Sequence, residues 1–599
     1  MAPTSLKGSD TMGIYTTRDM KVGEHMMSAP DGPSITVLTD SFRATTTKFP
    51  ESDWIDLMGE YAWGRGNGVP DHISYEAYRI MEFQITTGAL PNHHCLLASI
   101  TYEFPAPSYD DSRTNHRQSP GTGAFSYNKG RDFFVDRDVK GGEELFLNYG
   151  KCTHERSPEW AKGTPMPSDY EVAVEIIASA WKNLTEVKGK EIKNIDLPVD
   201  TDPLVAMIVP KSAGELKELM SKHYGPRELV RELAFRTGIN RRTPEWIREH
   251  GKCLEHMIAK PSQLPHAGLG GIAQHFINKN ELIVPVPLVH IMDQDVLTNY
   301  GENGEKIGDQ VLLNYCYGHR ESTLLLCPNT NAILINHCGK RSKNCKPNAV
   351  MRWSNDWDPT SDAWRKQSLK ELSMKPFRGL SMEIVATRDI APGEEVLMDY
   401  GDEWDEAWKK HVAAWKPKEP VSSAKEVNEM RSPPASMMSG DLRKAKSADP
   451  HLFAACLYWT TDWDEDHIWE TRNPHWTNLT DGEILYEYSD DGSVYSGNYQ
   501  DQGSSAYWPC ALIREEESGD KSAEPTYTVR VFQMPFRDTT LWSENQLPRF
   551  LTNYSRSSIQ FFVKRGMGDQ YLPGVFRHKI GIPDDVFPAH WKNMAKSEA

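Results

Sequence analysis

Residues 388–401 read RDIAPGEEVLMDYG and residues 137–150 read RDVKGGEELFLNYG; seven of the fourteen positions are identical. A long-range repeat of this kind sets the architecture before any local reading does. Working outward, Asn92-His93 recurs as Asn336-His337. Further upstream, Gly13-Ile14 followed by Arg18-Asp19-Met20-Lys21-Val22-Gly23-Glu24 has a weaker echo between Gly270 and Glu281. Three markers recur in one order at roughly 250-residue offsets, which is a domain spacing and too long for a solenoid unit. The expected duplicate units span 10–155 and 263–416.

Between them helical signals dominate. Val172, Ile176, Ile177, Ala180 and Trp181 fall at helical spacing, Ser212 with Glu215 forms a capping pattern, and Thr243-Pro244 opens a further helix. Residues 156–262 are therefore expected to be a helical connector. From 417 to 450 the chain turns to Pro, Ser and Lys without apolar periodicity, as a flexible linker does. Beyond it, over 451–595, alternating runs such as ILYEY at 484–488 and YTVRVF at 527–532, separated by Asp-Gly and Ser-Gly turns, predict a small β-sheet or barrel. Its aromatics Tyr499, Tyr507, Trp508 and Phe532 could build a cage for a methylated cation, although filling a small β-core is their commoner use.

At 599 residues the chain exceeds one hydrophobic core and calls for several domains. Its net charge of −17 argues against a phosphate-backbone binder, so no direct nucleic-acid binding is expected, and cationic partners such as basic peptides are favoured. Acidity that merely keeps a large protein soluble is the plainer alternative. No run approaches a membrane span, and the polar start lacks secretory features, so an intracellular location is expected. The nine cysteines are odd in number, scattered and without a C-x-x-C pair, and read as reduced thiols outside any disulfide framework. The Asn-x-Ser/Thr triplets at Asn183, Asn478 and Asn553 then carry no glycan. Cys316, Cys327, Cys338 and Cys345 have separations unlike a zinc ribbon, and no metal site is expected.

In the second unit, Gly268-Leu269-Gly270-Gly271 describes a glycine turn feeding a strand, where glycine permits positive φ and close backbone approach. The sequence then runs to Val284-Pro285-Val286-Pro287, a strand signal, so this is no dinucleotide fingerprint. Next come Asn314-Tyr315-Cys316-Tyr317, Asn336-His337-Cys338, Pro347-Asn348 and the ending Tyr400-Gly401. Singly each is bland.

As an ordered set they resemble the SET-domain protein lysine methyltransferases, over both repeats. The resemblance implies a mixed α/β, β-rich chain: two SET-type β-clip domains, each a pseudoknot of short sheets, joined by the helical connector, with the barrel-like module at the C-terminus. It implies S-adenosylmethionine as cofactor and a lysine-bearing protein or peptide, histone or other, as substrate. Gly268 and Gly270 would set backbone against the cofactor, Asn336 and His337 would hold it, and Tyr400 would stand at the transfer centre, with Tyr315 or Tyr317 as a second tyrosine of the lysine channel. The residue types suit the chemistry: methyl transfer to an amine is an in-line displacement that needs alignment and a neutral nucleophile, and an aromatic channel supplies both.

The first unit departs from the pattern. Thr11 stands where Gly268 does, Gly13 where Gly270 does, and no Pro-Asn follows Asn92-His93 closely, so this copy is expected to be degenerate. The cysteine cluster that many histone-directed members carry after the terminal tyrosine is absent after Gly401, where a helix bearing Trp404 and Trp408 on one face could close the channel instead, although packing onto the domain is the commoner use of such a pair. The competing reading is a non-enzymatic scaffold of paired SET-like folds with a β-barrel reader. The two separate on whether Gly268, Gly270, Asn336, His337 and Tyr400 converge on one cleft.

Overall fold

The computed structural model describes residues 1–6, 11–27, 34–38, 62–63, 80–84, 90–103, 118–126, 131–149, 167–186, 206, 208–222, 225–300, 306–354, 357–375, 379–417, 424–434, 438, 452–458, 476–478, 484–487, 506–516, 522–531, 549–563 and 574–593. Strands dominate, and helices gather in the middle of the chain, giving a mixed α/β, strand-rich fold.

The second unit opens on a hairpin. Strand Met257–Pro261 pairs antiparallel with Leu269–Ala273, the turn between them closing on Gly268 at φ +71°, a left-handed conformation that suits glycine. The hairpin begins inside the stretch expected to be connector. Leu282–Ile291 follows as the central strand of an eight-stranded sheet, between Leu380–Ala386 and Leu325–Pro328. Its Pro285 and Pro287 sit where only Leu380–Ala386 flanks the strand, the second neighbour starting at Leu288, so their missing N–H groups cost no ladder bond on that side.

At one edge of this sheet the chain knots. Asn336–His337 runs parallel to Leu397–Met398, and Met398 also pairs with Ala349, the first residue of Ala349–Trp353. At the other edge lies Ile580–Gly581, parallel to Tyr317–Gly318. Residues near 580, to which the sequence assigned no element, thus return to the second unit's sheet and leave the C-terminal module.

The first unit repeats much of this pattern in a six-stranded sheet. Met12–Tyr15 pairs with Ala2–Pro3 and with Glu144–Leu147, and Glu144–Leu147 lies parallel to Ala98–Glu103 and bridges His93. One buried cluster joins the two units, including Ile14, Phe133 and Leu145 from the first and Val284, Leu326 and Ile384 from the second.

The connector is helical over Pro167–Glu186, Ala213–Met220, Pro226–Thr237 and Pro244–His250. Ser212 Oγ accepts from the Glu215 N–H and Thr243 caps the last helix through the Trp246 N–H. Tyr170, Ala173 and Ile177, one helical face, bury against Leu96, Leu97 and Phe146 of the first unit.

The C-terminal module is a seven-stranded, mostly antiparallel sheet with Trp476–Asn478 and Ile559–Val563 at its ends. Part of the expected linker is docked on it: helix Ala424–Glu429 buries Val427, and Asn428 exchanges two hydrogen bonds with the Phe561 backbone at 2.7 and 3.0 Å. Tyr499 and Phe532 lie outside the described residues, as do the side chains of Tyr507 and Trp508.

The cysteines correct the expectation of reduced thiols. Cys316 bonds Cys327, Cys338 bonds Cys345 and Cys456 bonds Cys510, while Cys253 is free. Spacing along the chain misled because the pairs are made by the fold: Cys456 and Cys510 lie diagonally on adjacent antiparallel strands, and Cys316 abuts the strand that pairs with Leu325–Pro328.

Candidate active site

The parallel strands bring Asn336, His337 and Tyr400 together with the glycine turn. The Asn336 amide donates to the Leu269 carbonyl at 2.9 Å and to Glu395 Oε1 at 3.0 Å. Glu395 also accepts from Ser262 Oγ at 2.7 Å and the Gln263 N–H at 3.0 Å, so a buried carboxylate is held by three donors. Gly270 must be glycine here, because a Cβ would stand 2.2 Å from Glu395 Oε1 and 3.1 Å from the Asn336 amide nitrogen. Asn348, of the Pro-Asn pair, donates to the Glu395 carbonyl at 2.8 Å and accepts from the Leu397 N–H at 2.8 Å. Glu395 and Asn348 are thus site-building residues that were quoted only as parts of motifs; two acidic residues in a row after Gly393 carried no sign of which one turns inward.

His337 Nδ1 accepts the Tyr400 N–H at 3.0 Å, which leaves the proton on Nε2. Burial lowers the His337 pKa most, against the opposing pull of Asp399 and Asp405, so the ring is held neutral. The Tyr400 hydroxyl donates to the Ile335 carbonyl. Trp404 lies 4.4 Å from the His337 ring and edge-on to Tyr400 at 5.2 Å. Helix Asp402–Ala414 carries it, with Trp408 stacked one turn on at 5.8 Å, and Phe576 packs against both indoles.

Tyr315, Tyr317 and Tyr400 interact electrostatically, and burial pushes all three hydroxyl pKa values up, that of Tyr315 to about 12. Tyr317 pairs on its strand with Leu326 and Ile580 and is 1% exposed; its hydroxyl has no hydrogen-bond partner among the described residues. Tyr315 lies two residues earlier on a short 3₁₀ turn, and its hydroxyl accepts from the Ser126 N–H of the first unit at 2.9 Å. Of the seven residues singled out, six therefore gather around the Tyr400 knot or the turn it touches; Gly268 closes that same turn, and the ring of Phe125 covers the side where a Cβ would stand.

The first unit carries a matching network. Asn92 donates to the Met12 carbonyl and to Glu144 Oε1, both at 3.1 Å; Glu144 accepts from Thr4 Oγ1 and the Ser5 N–H; and a Cβ on Gly13 would stand 2.0 Å from Glu144 Oε1. The Tyr149 N–H donates to His93 Nδ1 at 2.9 Å. The missing Pro-Asn is replaced from the connector: Asn240 donates to the Glu144 carbonyl at 3.1 Å, as Asn348 does to that of Glu395. The difference lies at the tyrosine. Tyr149 is 54% exposed and Tyr400 8%.

This knot of Asn-His strand, tyrosine-ended strand and glycine turn defines a SET-type fold. Residues 268–401 match the family model described as the SET domain, and the chain carries a SET domain there. No curated protein matches the chain. Among solved structures it is similar to a candidate histone methyltransferase of Plasmodium falciparum, with 22% identity over 25% of this chain and 98% of that one and a TM-score of 0.17. It is also similar to the Cryptosporidium protein CpSET8, with 14% identity over 39% and 98% of the two chains and a TM-score of 0.15. A chain of an active polycomb repressive complex 2 in the stimulated state matches at 16% identity over 28% of this chain and 18% of that one, with a TM-score of 0.18. Overlaps this partial carry no weight for function.

Proposed function

We propose that the protein is an S-adenosylmethionine-dependent protein-lysine methyltransferase whose transfer centre lies in residues 268–401. The observation that carries this reading is the placement of Tyr400: its backbone is held by His337, its ring is buried beside Tyr317 and Tyr315, and an indole closes over it.

The residues present fit the cofactor. His337 Nε2 is buried without a hydrogen bond among the described residues, with the Asp405 carboxylate 3.6 Å away, and both Asn336 amide hydrogens are spent within the fold, leaving Oδ1 for a ligand. Acidic groups and aromatic faces suit a sulfonium cation. Asn336, His337 and the backbone at Gly270 and Gly268 would hold it. When bound, adenosylmethionine supplies a methyl group on a sulfonium sulfur, which departs as a neutral thioether as a lysine nitrogen attacks in line.

The chain's own residues prepare that nitrogen. A free lysine has a pKa of about 10.4 and is almost wholly protonated near neutrality, so it must be deprotonated to react. A phenolate in the channel would hold the ammonium form; burial keeps the tyrosines protonated, and neutral rings with little water favour the amine. Tyr400 spends its hydroxyl proton on Ile335, whereas the Tyr317 hydroxyl has no partner among the described residues and can accept an amine N–H to aim the lone pair.

On this reading the chain divides into two SET-type units, a helical connector and a C-terminal β-module, and turnover belongs to the second unit, because the exposed Tyr149 forms no closed channel among the described residues. The net charge of −17 suits a basic, lysine-bearing protein or peptide as substrate. No described helix is long and apolar enough to cross a membrane. The test is to incubate the protein with labelled adenosylmethionine and a histone mixture or cell extract. Label is expected on a protein band and lost with Tyr400→Phe; no label in any fraction, with no adenosylmethionine bound by calorimetry, overturns the proposal.

A further inference from the structure

The first unit reaches into the second unit's cleft. Hydrogen bonds along residues 118–126 (QSPGTGAFS) tie that segment to it. Ser119 Oγ meets His266 Nδ1 at 2.8 Å, and the Pro120 carbonyl accepts from His411 Nε2 at 2.9 Å. The Gly123 carbonyl accepts from Arg577 and the Ala124 carbonyl from Asn314, each at 2.6 Å, and the Ser126 N–H donates to the Tyr315 hydroxyl at 2.9 Å. Phe125 lies over the glycine turn so closely that a Cβ on Gly268 would stand 2.4 Å from its ring.

These contacts reach the Gly268 turn, Tyr315, the helix that carries Trp404 and the returning C-terminal segment. Pro120, Gly121, Thr122, Gly123 and Ser126 are buried, as a wall is and a mobile lid is not. By accepting from Ser126, the Tyr315 hydroxyl keeps its own proton for another acceptor, so backbone from the first unit decides which way that hydroxyl points.

We propose that residues 118–126 are a wall of the second unit's reaction cleft, in which Phe125 seats the Gly268 turn and Ser126 orients Tyr315. The first unit then serves its partner's site instead of hosting one. Phe125 and Ser126 are positioning residues, and the proposal rests on the methyltransferase reading above.

The test uses full-length Phe125→Ala, Phe125→Leu, Ser126→Pro, Tyr315→Phe and the double variant Ser126→Pro/Tyr315→Phe. Phe125→Ala is expected to raise the adenosylmethionine Kd at least tenfold by calorimetry, with Phe125→Leu recovering most of that loss. Ser126→Pro is expected to lower kcat in the parent and to add nothing in the Tyr315→Phe background. A merely structural segment would lower the active fraction and leave Kd and KM unchanged. Parental Kd in Phe125→Ala, or the same kcat loss from Ser126→Pro in both backgrounds, overturns the proposal. If the parent binds no adenosylmethionine, the functional reading falls and the positioning roles of Phe125 and Ser126 fall with it; if the parent binds it, exchange at open-loop rates at the buried amides of 118–126 also removes the wall.

Discussion

The Tyr400 N–H donates to His337 Nδ1 across 3.0 Å, and that bond fixes both the tautomer of the imidazole and the entry of the tyrosine into the site. Protonating Nδ1 would remove the acceptor. Because burial lowers the His337 pKa, the neutral ring is the native form; its contribution is fully present above the unfolded value of about 6.5 and is lost as pH falls through the lowered folded value. Melting temperature is expected to decline below about pH 6.5 and turnover only at lower pH, where the folded ring itself takes up a proton, and His337→Ala should flatten that part of the melting profile. An unchanged profile in the variant would remove His337 as the titrating group.

Tyr400 and Tyr317 should separate in mutagenesis. Tyr400→Phe breaks a buried bond to the Ile335 carbonyl, so it is expected to lower both turnover and stability, the latter by about 1–3 kcal/mol. Tyr317→Phe deletes a hydroxyl that has no partner among the described residues, so stability should hold while turnover falls at least tenfold. Urea melts with steady-state rates check the pair; equal stability losses would contradict the assignment.

Gly270→Ala drives a Cβ against Glu395 and so pushes at Asn336 as well. Gly13→Ala does the same to Glu144 in the first unit. Both are expected to destabilise by about 1–3 kcal/mol, the usual range for overpacking, but only Gly270→Ala should weaken adenosylmethionine binding. Calorimetry on the two variants at equal folded fraction decides it.

Ending the chain at residue 573 removes the strand Ile580–Gly581, the Gly581 N–H that bonds the Tyr400 carbonyl at 2.9 Å, and the Phe576 ring against Trp404 and Trp408. The truncated protein is expected to lose turnover by at least tenfold while the seven-stranded sheet, which lies upstream, still folds. Activity at the parental level would show that the returning segment is dispensable.

Pairing Cys338 with Cys345 closes a short loop between His337 and Asn348. Reduction is expected to cost about 2 kcal/mol by loop entropy and to weaken the hold of Asn348 on Glu395. Melting with and without reductant, compared with Cys345→Ser, measures it; identical melts would mean that the bond does not form in solution.

Much of the candidate site could be read directly because it is built from short motifs. Asn-His, Gly-Glu-Glu and Tyr-Gly each occupy a few consecutive residues, and their order and repetition survive in a linear string. The connector helices were legible for the same reason, since caps and apolar spacing act within a turn or two. Where the reading failed, the cause was distance. Cys456 paired with Cys510 from an adjacent strand, Asn240 stood in for a missing Pro-Asn from a different element, and six of the expected linker's thirteen described residues docked as a helix.

The amino-acid order by itself determined that one set of short motifs recurs and where glycine turns and strands fall around them, because glycine turns, polar strand ends and apolar alternation are local consequences of side-chain size and polarity. Only the tertiary structure decided what encloses them. The Pro120 carbonyl meets His411 across 291 residues and the Gly123 carbonyl meets Arg577 across 454. Such backbone carbonyls are identical in every residue, so nothing in the string marks which one a distant donor will choose; that choice is made by packing the shared core of the two units.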